Sequence, residues 1–337
     1  MAWVAMAGTA PNCRAQSSPT ARTRAEPRTL AVRTDLVRVD VSVLDRHGKF
    51  VAGLRRTDFR VLDDSVPQPT VFFAPVEAPA RVLVMLETSP AVYLIHDQHL
   101  AAALALLQGL EPADQVALVT YSDQPREVLP FTADKTELLQ AVNSLQYSLG
   151  MGQLNFYDAL SSVVDRLGRA PGKTAVVLLT TGLDSSSVSR WQPLVRKLRG
   201  TDLVIFAVAL GGELRGDDSA ERKRQTLDAM PQQPELPDSL ENLNGFARAD
   251  RALRLIAQIT GGRAYFPRSD KDFVPIYHEI ASTLRHQYVL GIAPAHDGKV
   301  HALAVQVFPG GAKESDKPSK KSHYRIFARE GYIAPAN

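Results

Sequence analysis

The sequence predicts an α/β protein, a doubly wound, mostly parallel sheet inserted into a small β-sandwich that its N- and C-terminal flanks build together. Three observations carry this. Continuous apolar runs at 82–86, 116–121, 174–180 and 203–210 read as strands covered on both faces. Segments of helical period at 93–110, 134–145, 155–168, 189–199 and 247–260 lie between and after them, the alternation of a doubly wound sheet. On either side of this region the texture is β alone, and each flank is too short to bury a core by itself.

Residues 1–29 begin MAWVAMAGTAPNCRAQ, small and apolar with an Ala-rich end but no basic start. They read as a remnant secretory signal or a disordered tail, and the first reading implies an exported protein, periplasmic or extracellular. Residues 30–78 form a β segment. Within it Val37, Val39, Val41 and Val43 share one face of a strand at 36–44, with Arg38, Asp40 and Ser42 on the other. Turn chemistry at 45–49 leads to short strands at 50–51, 59–62 and 70–73. Residues 79–286 form the inserted α/β domain. Its 211–246 stretch, charged and rich in proline, reads as a mobile loop. Gly261 and Gly262 end the fifth helix, 264–266 is an edge strand, and Asp270 is expected to cap a last helix reaching about His286. Residues 287–337 return to β texture at 288–292, 301–308 and 324–329, and are expected to pair with 30–78.

Composition removes several function classes. Lys and Arg total 39 against 36 Asp and Glu, a net charge of +3, too balanced to supply the field that a nucleic-acid binder turns on phosphates. The single cysteine, Cys13, excludes an intrachain disulfide and a cysteine-based metal site. Past the tail no run of roughly 18 apolar residues offers a transmembrane segment. Oligomeric state leaves no trace in the sequence.

In an open α/β sheet ligands bind beyond the carboxyl ends of the strands. The loop after the first central strand reads Leu86-Glu87-Thr88-Ser89-Pro90-Ala91, without the G-x-G-x-x-G or Walker lysine of a nucleotide site. It resembles the Asp-x-Ser-x-Ser motif of von Willebrand factor A domains, in which a carboxylate and two hydroxyls hold a divalent cation. GQLNFYDAL at 152–160 and VVLLTTGLD at 176–184 are similar to the second and third loops of that site. The leading segment at 36–77, with Gly53-Leu54, Asp58-Phe59 and the Asp63-Asp64 pair, resembles the bacterial, acidobacterial-type group of this family, as do LRLIAQITGGRAYF at 253–266, QYVLGIAP at 287–294 and REGY at 329–332. Only the tail, the 211–246 loop and a turn at 309–322 fall outside the resemblance.

The departures fall on the metal positions. The resemblance places Glu87 where the family has its first Asp, keeps Ser89, and puts Ala91 for the second Ser, Leu154 for Thr and Thr181 for the last Asp. Mg²⁺ favours octahedral oxygen and usually more than one carboxylate, so the site is read as degenerate, with no metal and no cofactor. Glu87, Ser89 and Thr181, with Asp184 nearby, leave room for weak Mg²⁺ or Mn²⁺ binding. Without the resemblance, Glu87, Ser89 and Thr181 read as polar caps at the sheet edge, and Tyr157 and Asp158 as the start of a helix. His96 and His99, spaced i,i+3, lack an H-E-x-x-H setting and read as solvated surface. Ser185 to Ser187 lack a G-x-S-x-G elbow, and the basic runs at 222–224 and 317–321 read as solvated loops. No catalytic residue is assigned.

The resemblance implies protein binding. The expected function is a non-enzymatic, metal-independent module whose rim, Thr88, Pro90, Tyr93, Gln153, Asn155 and Asp184, meets a protein partner. Two other readings stay open: a structural component of the cell envelope acting through the sandwich, and a hydrolase using Glu87 as base, for which no nucleophile, histidine or phosphate loop converges.

Overall fold

The structure, a computed structural model, describes residues 36–93, 96–147, 153–168, 174–212, 245–311 and 324–336. The expected tail and both basic runs lie outside these residues, as does nearly all of the expected 211–246 loop.

Alternate valines make β1 (Val37–Leu44) a strand with one wholly buried face. Its other face is less polar than the alternation implied, because Ser42 is also buried and donates to the His286 carbonyl at 3.0 Å. The N-terminal flank continues with β2 (Phe59–Asp63), β3 (Val66–Gln68) and β4 (Phe72–Glu77). Between β2 and β3, Asp64 and Ser65 both have positive φ, 47° and 70°, as a two-residue type I′ hairpin requires.

The inserted domain runs β5 (Arg81–Glu87), α1 (Pro90–Tyr93), α2 (His96–Gly109), β6 (Gln115–Tyr121), β7 (Pro125–Thr132) and α3 (Lys135–Asn143). It continues with α4 (Phe156–Leu167), β8 (Ala175–Thr180), α5 (Trp191–Arg199), β9 (Val204–Ala209), α6 (Gly245–Ile259), β10 (Ala264–Tyr265) and α7 (Phe273–Arg285). Six strands lie in the order β10-β9-β8-β5-β6-β7, parallel except for β7. Alternate residues of β5 serve the two layers. Val82, Val84 and Leu86 pack with α2, α3 and α7, whereas Leu83 and Met85 pack with α4, α5 and α6.

Two departures from the sequence expectations stand out. β7 was not anticipated, because its two prolines cannot donate to a ladder and confine it to the sheet edge, where little of it is buried. The helix expected at 93–110 is α2, with α1 just before it. Asp270 does not cap the last helix: Asp272 accepts from the amides of Arg268 and Ser269, and a 3₁₀ turn at Asp270–Asp272 precedes α7. The glycine pair does end α6. Gly261 has φ +82°, and a Cβ on Gly262 would lie 2.0 Å from the Ile205 carbonyl oxygen, so α6 can settle on β9 only with glycine there.

After α7 come β11 (His286–Ile292), β12 (Val300–Val307), β13 (Arg325–Phe327) and β14 (Gly331–Ile333). They interleave with the first flank in two four-stranded sheets, β13-β1-β11-β4 and β14-β12-β2-β3. Val39 lies opposite Leu290 and Val61 opposite Val305, so each sheet contains strands of both flanks. The shared core joins Val39, Val41, Phe59 and Val61 to Tyr288, Leu290 and Tyr332.

The two ends of the insertion meet. His286 pairs with Glu77, and the buried Asp114 carboxylate accepts from the amides of Ala80 (2.7 Å) and Glu111 (2.8 Å) while pairing with Arg285. Burial pushes the Asp114 carboxyl up, but Arg285 and the two amides outweigh it and hold it below its ordinary 3.8. Because the folded value lies below the unfolded one, this stabilisation is present above about pH 4 and is lost as pH falls through the folded value. Asp114→Asn should cost about 2 kcal/mol at pH 7 in urea unfolding, and its difference from the unmodified chain should shrink below about pH 4. Equal stability at pH 7 would show that the clamp does not hold the junction.

Candidate functional site at the sheet switch point

The chain leaves β5 for β6 on one side and later enters β8 on the other, so the loops after β5 and β8 diverge and open a crevice between them. Three adjacent strands end there, at Glu87, Tyr121 and Thr180. Glu87 is 0% exposed. Its Oε1 accepts from Ser89 Oγ at 2.6 Å and Thr181 Oγ1 at 3.0 Å; its Oε2 accepts from the Thr181 amide at 2.7 Å and Thr180 Oγ1 at 2.9 Å. These donors fill the roughly four lone-pair sites of a carboxylate. Tyr121 then donates to Thr180 Oγ1, 2.6 Å away, which also accepts from the Gly182 amide at 2.8 Å. Burial, followed by the negative charge of Glu87, pushes the Tyr121 phenol well above its ordinary 10.0, so it stays a hydroxyl donor.

This donor set is a poor fit to the divalent cation of the resembled motif. The Glu87 carboxylate has its lone pairs engaged by protein groups, and Thr181, where that motif has its last Asp, donates to it. Leu154 is a buried apolar side chain. Mg²⁺ would have to displace the hydroxyls and the amide and still find most of its octahedron elsewhere. Reading Glu87, Ser89 and Thr181 as independent loop caps also needs correction, since the three are bonded into one buried network.

The rim residues are brought to one end of the sheet, with differing access. Thr88 is buried, its amide and Oγ1 both donating to the Tyr121 carbonyl, and so does not belong to an accessible rim. Pro90 is half-buried at the start of α1; Ala91 and Tyr93 follow in that helix, and their side chains lie outside the described residues. Gln153 is exposed, and Asn155 is half-buried with Nδ2 donating to the Asp123 carbonyl. Asp184 accepts from the Tyr157 amide at 3.1 Å, which anchors the first turn of α4.

The second and third loops clamp each other. Leu154 N donates to Ser185 Oγ and Ser185 N to the Leu154 carbonyl, while Asp158 accepts from the amides of Val188 and Ser189, both at 2.8 Å. The clamp presents Val188, a side chain 89% exposed. Sequence reasoning missed Tyr121, Thr180 and Val188. The first two could have been found as the last residues of the strands flanking β5; Val188, one apolar residue in a serine-rich stretch, carried no signal.

A doubly wound α/β domain with its polar residues gathered at the switch point is the class that fold and site define. The model of the von Willebrand factor type A domain matches residues 89–242, which lie within the inserted domain. Such domains commonly mediate protein–protein interaction. Among solved structures, the chain is similar to an aerotolerance-related membrane protein from Bacteroides fragilis at 14% identity, covering 60% of this chain and 98% of that one with a TM-score of 0.42. It is similar to a von Willebrand factor type A protein from Catenulispora acidiphila at 12% identity, covering 90% of this chain and 64% of that one with a TM-score of 0.44. It is also similar to the conserved hypothetical protein BatB from Bacteroides thetaiotaomicron, at 14% identity, 60% and 98% coverage and a TM-score of 0.41. No curated protein matches the chain. Among the described residues no helix is long and apolar enough to cross a membrane.

Glu87→Ala would strand several buried donors at once, and should cost about 3 kcal/mol in urea unfolding. Tyr121→Phe removes one donor and should cost about 1 kcal/mol. A Glu87→Ala chain as stable as the parent would mean that the network does not hold the strand ends.

Proposed function

We propose that this chain is a non-enzymatic protein-binding module that engages its partner through the rim above Glu87 without a metal ion. The observation that carries this reading is Val188, an apolar side chain held out on a loop whose amides Asp158 already fixes. An anchor on rigid backbone loses little conformational freedom on binding, which is how a small patch supplies most of an interface's energy. Exposed Gln153 lies on the adjoining loop, joined to it through the Leu154 and Ser185 pair. A general base needs access to the proton it removes, and Glu87 is sealed, which argues against the hydrolase reading. An exported location belongs to the same proposal and rests on the small, apolar composition of residues 1–16.

Millimolar Mg²⁺ should leave the melting temperature of the unmodified chain unchanged, since a ligand stabilises only as its concentration exceeds Kd. The combined variant Glu87→Asp, Ala91→Ser, Leu154→Thr, Thr181→Asp should gain about 1 to 3 kcal/mol with Mg²⁺. Mg²⁺ stabilisation of the unmodified chain that Glu87→Ala abolishes would overturn metal independence.

A photo-crosslinking residue at 188 should trap the partner in cells whether or not Mg²⁺ is present. One at 71, where Val71 is exposed on the sandwich, should not. The reverse pattern would move the contact to the sandwich.

A further inference from the structure

We propose a metal site in the sandwich, unrelated to the crevice, formed by Asp63, Asp64 and His301 and suited to a divalent first-row ion, Zn²⁺ or Mn²⁺. Asp63 ends β2, Asp64 is the first residue of its hairpin turn, and His301 lies on β12, so both flanks contribute. One ligand atom from each lies within 4.8 Å of the other two.

Each of the three side chains is tied by one polar atom to a group beyond the trio and presents the other to a common point. Asp63 Oδ2 accepts from the Tyr332 hydroxyl at 2.9 Å, leaving Oδ1. Asp64 Oδ1 accepts from the Ala302 amide at 2.9 Å, leaving Oδ2. His301 Nε2 lies 3.1 Å from Asp297 Oδ1, leaving Nδ1. That last contact is the carboxylate–histidine arrangement that fixes the tautomer and the ring orientation of a metal ligand. The Tyr332 ring, stacked on the imidazole at 5.3 Å, holds it further.

The atoms that face one another are spaced for an ion. Nδ1 lies 3.1 Å from Asp63 Oδ1 and 2.9 Å from Asp64 Oδ2. Adjacent ligands of an octahedral ion with bonds of about 2.1 Å stand about 3.0 Å apart. A single N–H on Nδ1 cannot point along both directions, whereas a cation between the three atoms serves all of them. One imidazole with two carboxylates favours Zn²⁺ or Mn²⁺ over Mg²⁺ or Ca²⁺. Asp63 and His301 are largely buried, while the Asp64 side chain is 54% exposed, giving the ion an entry and room for water to complete its shell. Bound there, it would staple β2 to β12.

The test is calorimetric titration of the full chain with ZnCl₂ and with MnCl₂, with melting followed in parallel. One ion per chain should bind with at least one of the two salts, raising the melting temperature. Asp64→Asn should weaken binding at least tenfold; asparagine tolerates the positive φ of the turn, so circular dichroism should show a folded chain. Asp297→Asn should weaken it roughly 10- to 100-fold by releasing the imidazole. His96→Gln combined with His99→Gln should leave it unchanged, separating this site from the histidine pair on α2. No saturable binding of either ion would leave only an imidazole held by carboxylates and overturn the proposal. So would undiminished binding in Asp64→Asn, or loss of binding in the His96 and His99 variant.

Discussion

A carboxylate withdrawn from water is tolerated only where donors replace its hydration, and Glu87 finds those donors because three neighbouring strands end level with one another. The register places Glu87 opposite Tyr121 and Leu86 opposite Leu179, which brings Thr180 and Thr181 alongside. Gly182, at φ +73°, turns the chain so that its amide reaches Thr180 Oγ1; a Cβ there would lie 2.8 Å from the Leu253 side chain. The dependence runs both ways. A slip of one residue would send the Glu87 side chain to the opposite face, into an apolar helix layer with no donors, at a cost of several kcal/mol. The buried charge therefore specifies the pairing of the central strands as well as depending on it.

The second constraint is that the α/β domain interrupts a sandwich. An insertion leaves its host intact only if its two ends lie close together, and here they are adjacent strands, β4 and β11, paired at Glu77 and His286. Asp114 reinforces the junction from within the insertion by holding both the entering chain at Ala80 and the leaving helix at Arg285. Since β1 lies between β13 and β11, and β2 between β12 and β3, neither flank owns a complete sheet. The sandwich core can close only after the chain has run through the domain between its halves, so its decisive contacts are long in sequence separation and slow to form.

Much of this was legible because it rests on periodicity. The valines of β1, the apolar runs of β5, β8 and β9, and the glycine pair after α6 each admit one local structure. What escaped was decided by tertiary neighbours. β7 carries prolines and little apolar alternation, and is a strand because an edge of β6 was available. Ser42 belongs by pattern to a solvated face, yet the pairing of β1 with β11 brings it within reach of the His286 carbonyl. At the site, the loop positions of Glu87, Ser89 and Thr181 could be named from the motif they resemble. Their joining into one sealed network could not, because Tyr121 and Thr180 enter it from strands whose order the sequence does not state.

The network changes what the rim can recognise. In a site that holds a divalent cation, the ion is the largest local charge and an acidic group on the partner is its natural complement. On the proposed metal-independent reading, with the Glu87 carboxylate buried and its lone pairs engaged, that electrostatic term would be missing. The loops instead offer an apolar side chain, Val188, and uncharged Gln153 on fixed backbone. Attraction between charges weakens with salt, whereas burial of an apolar anchor scales with area and is nearly indifferent to it. A partner suited to this rim would carry an apolar pocket for Val188, and discrimination would come from the fit of that pocket and from hydrogen bonds around it. On the proposed reading, the departures at Glu87, Leu154 and Thr181 are coherent with one another: these side chains pack or hydrogen-bond internally, which would make the site led by shape rather than by charge.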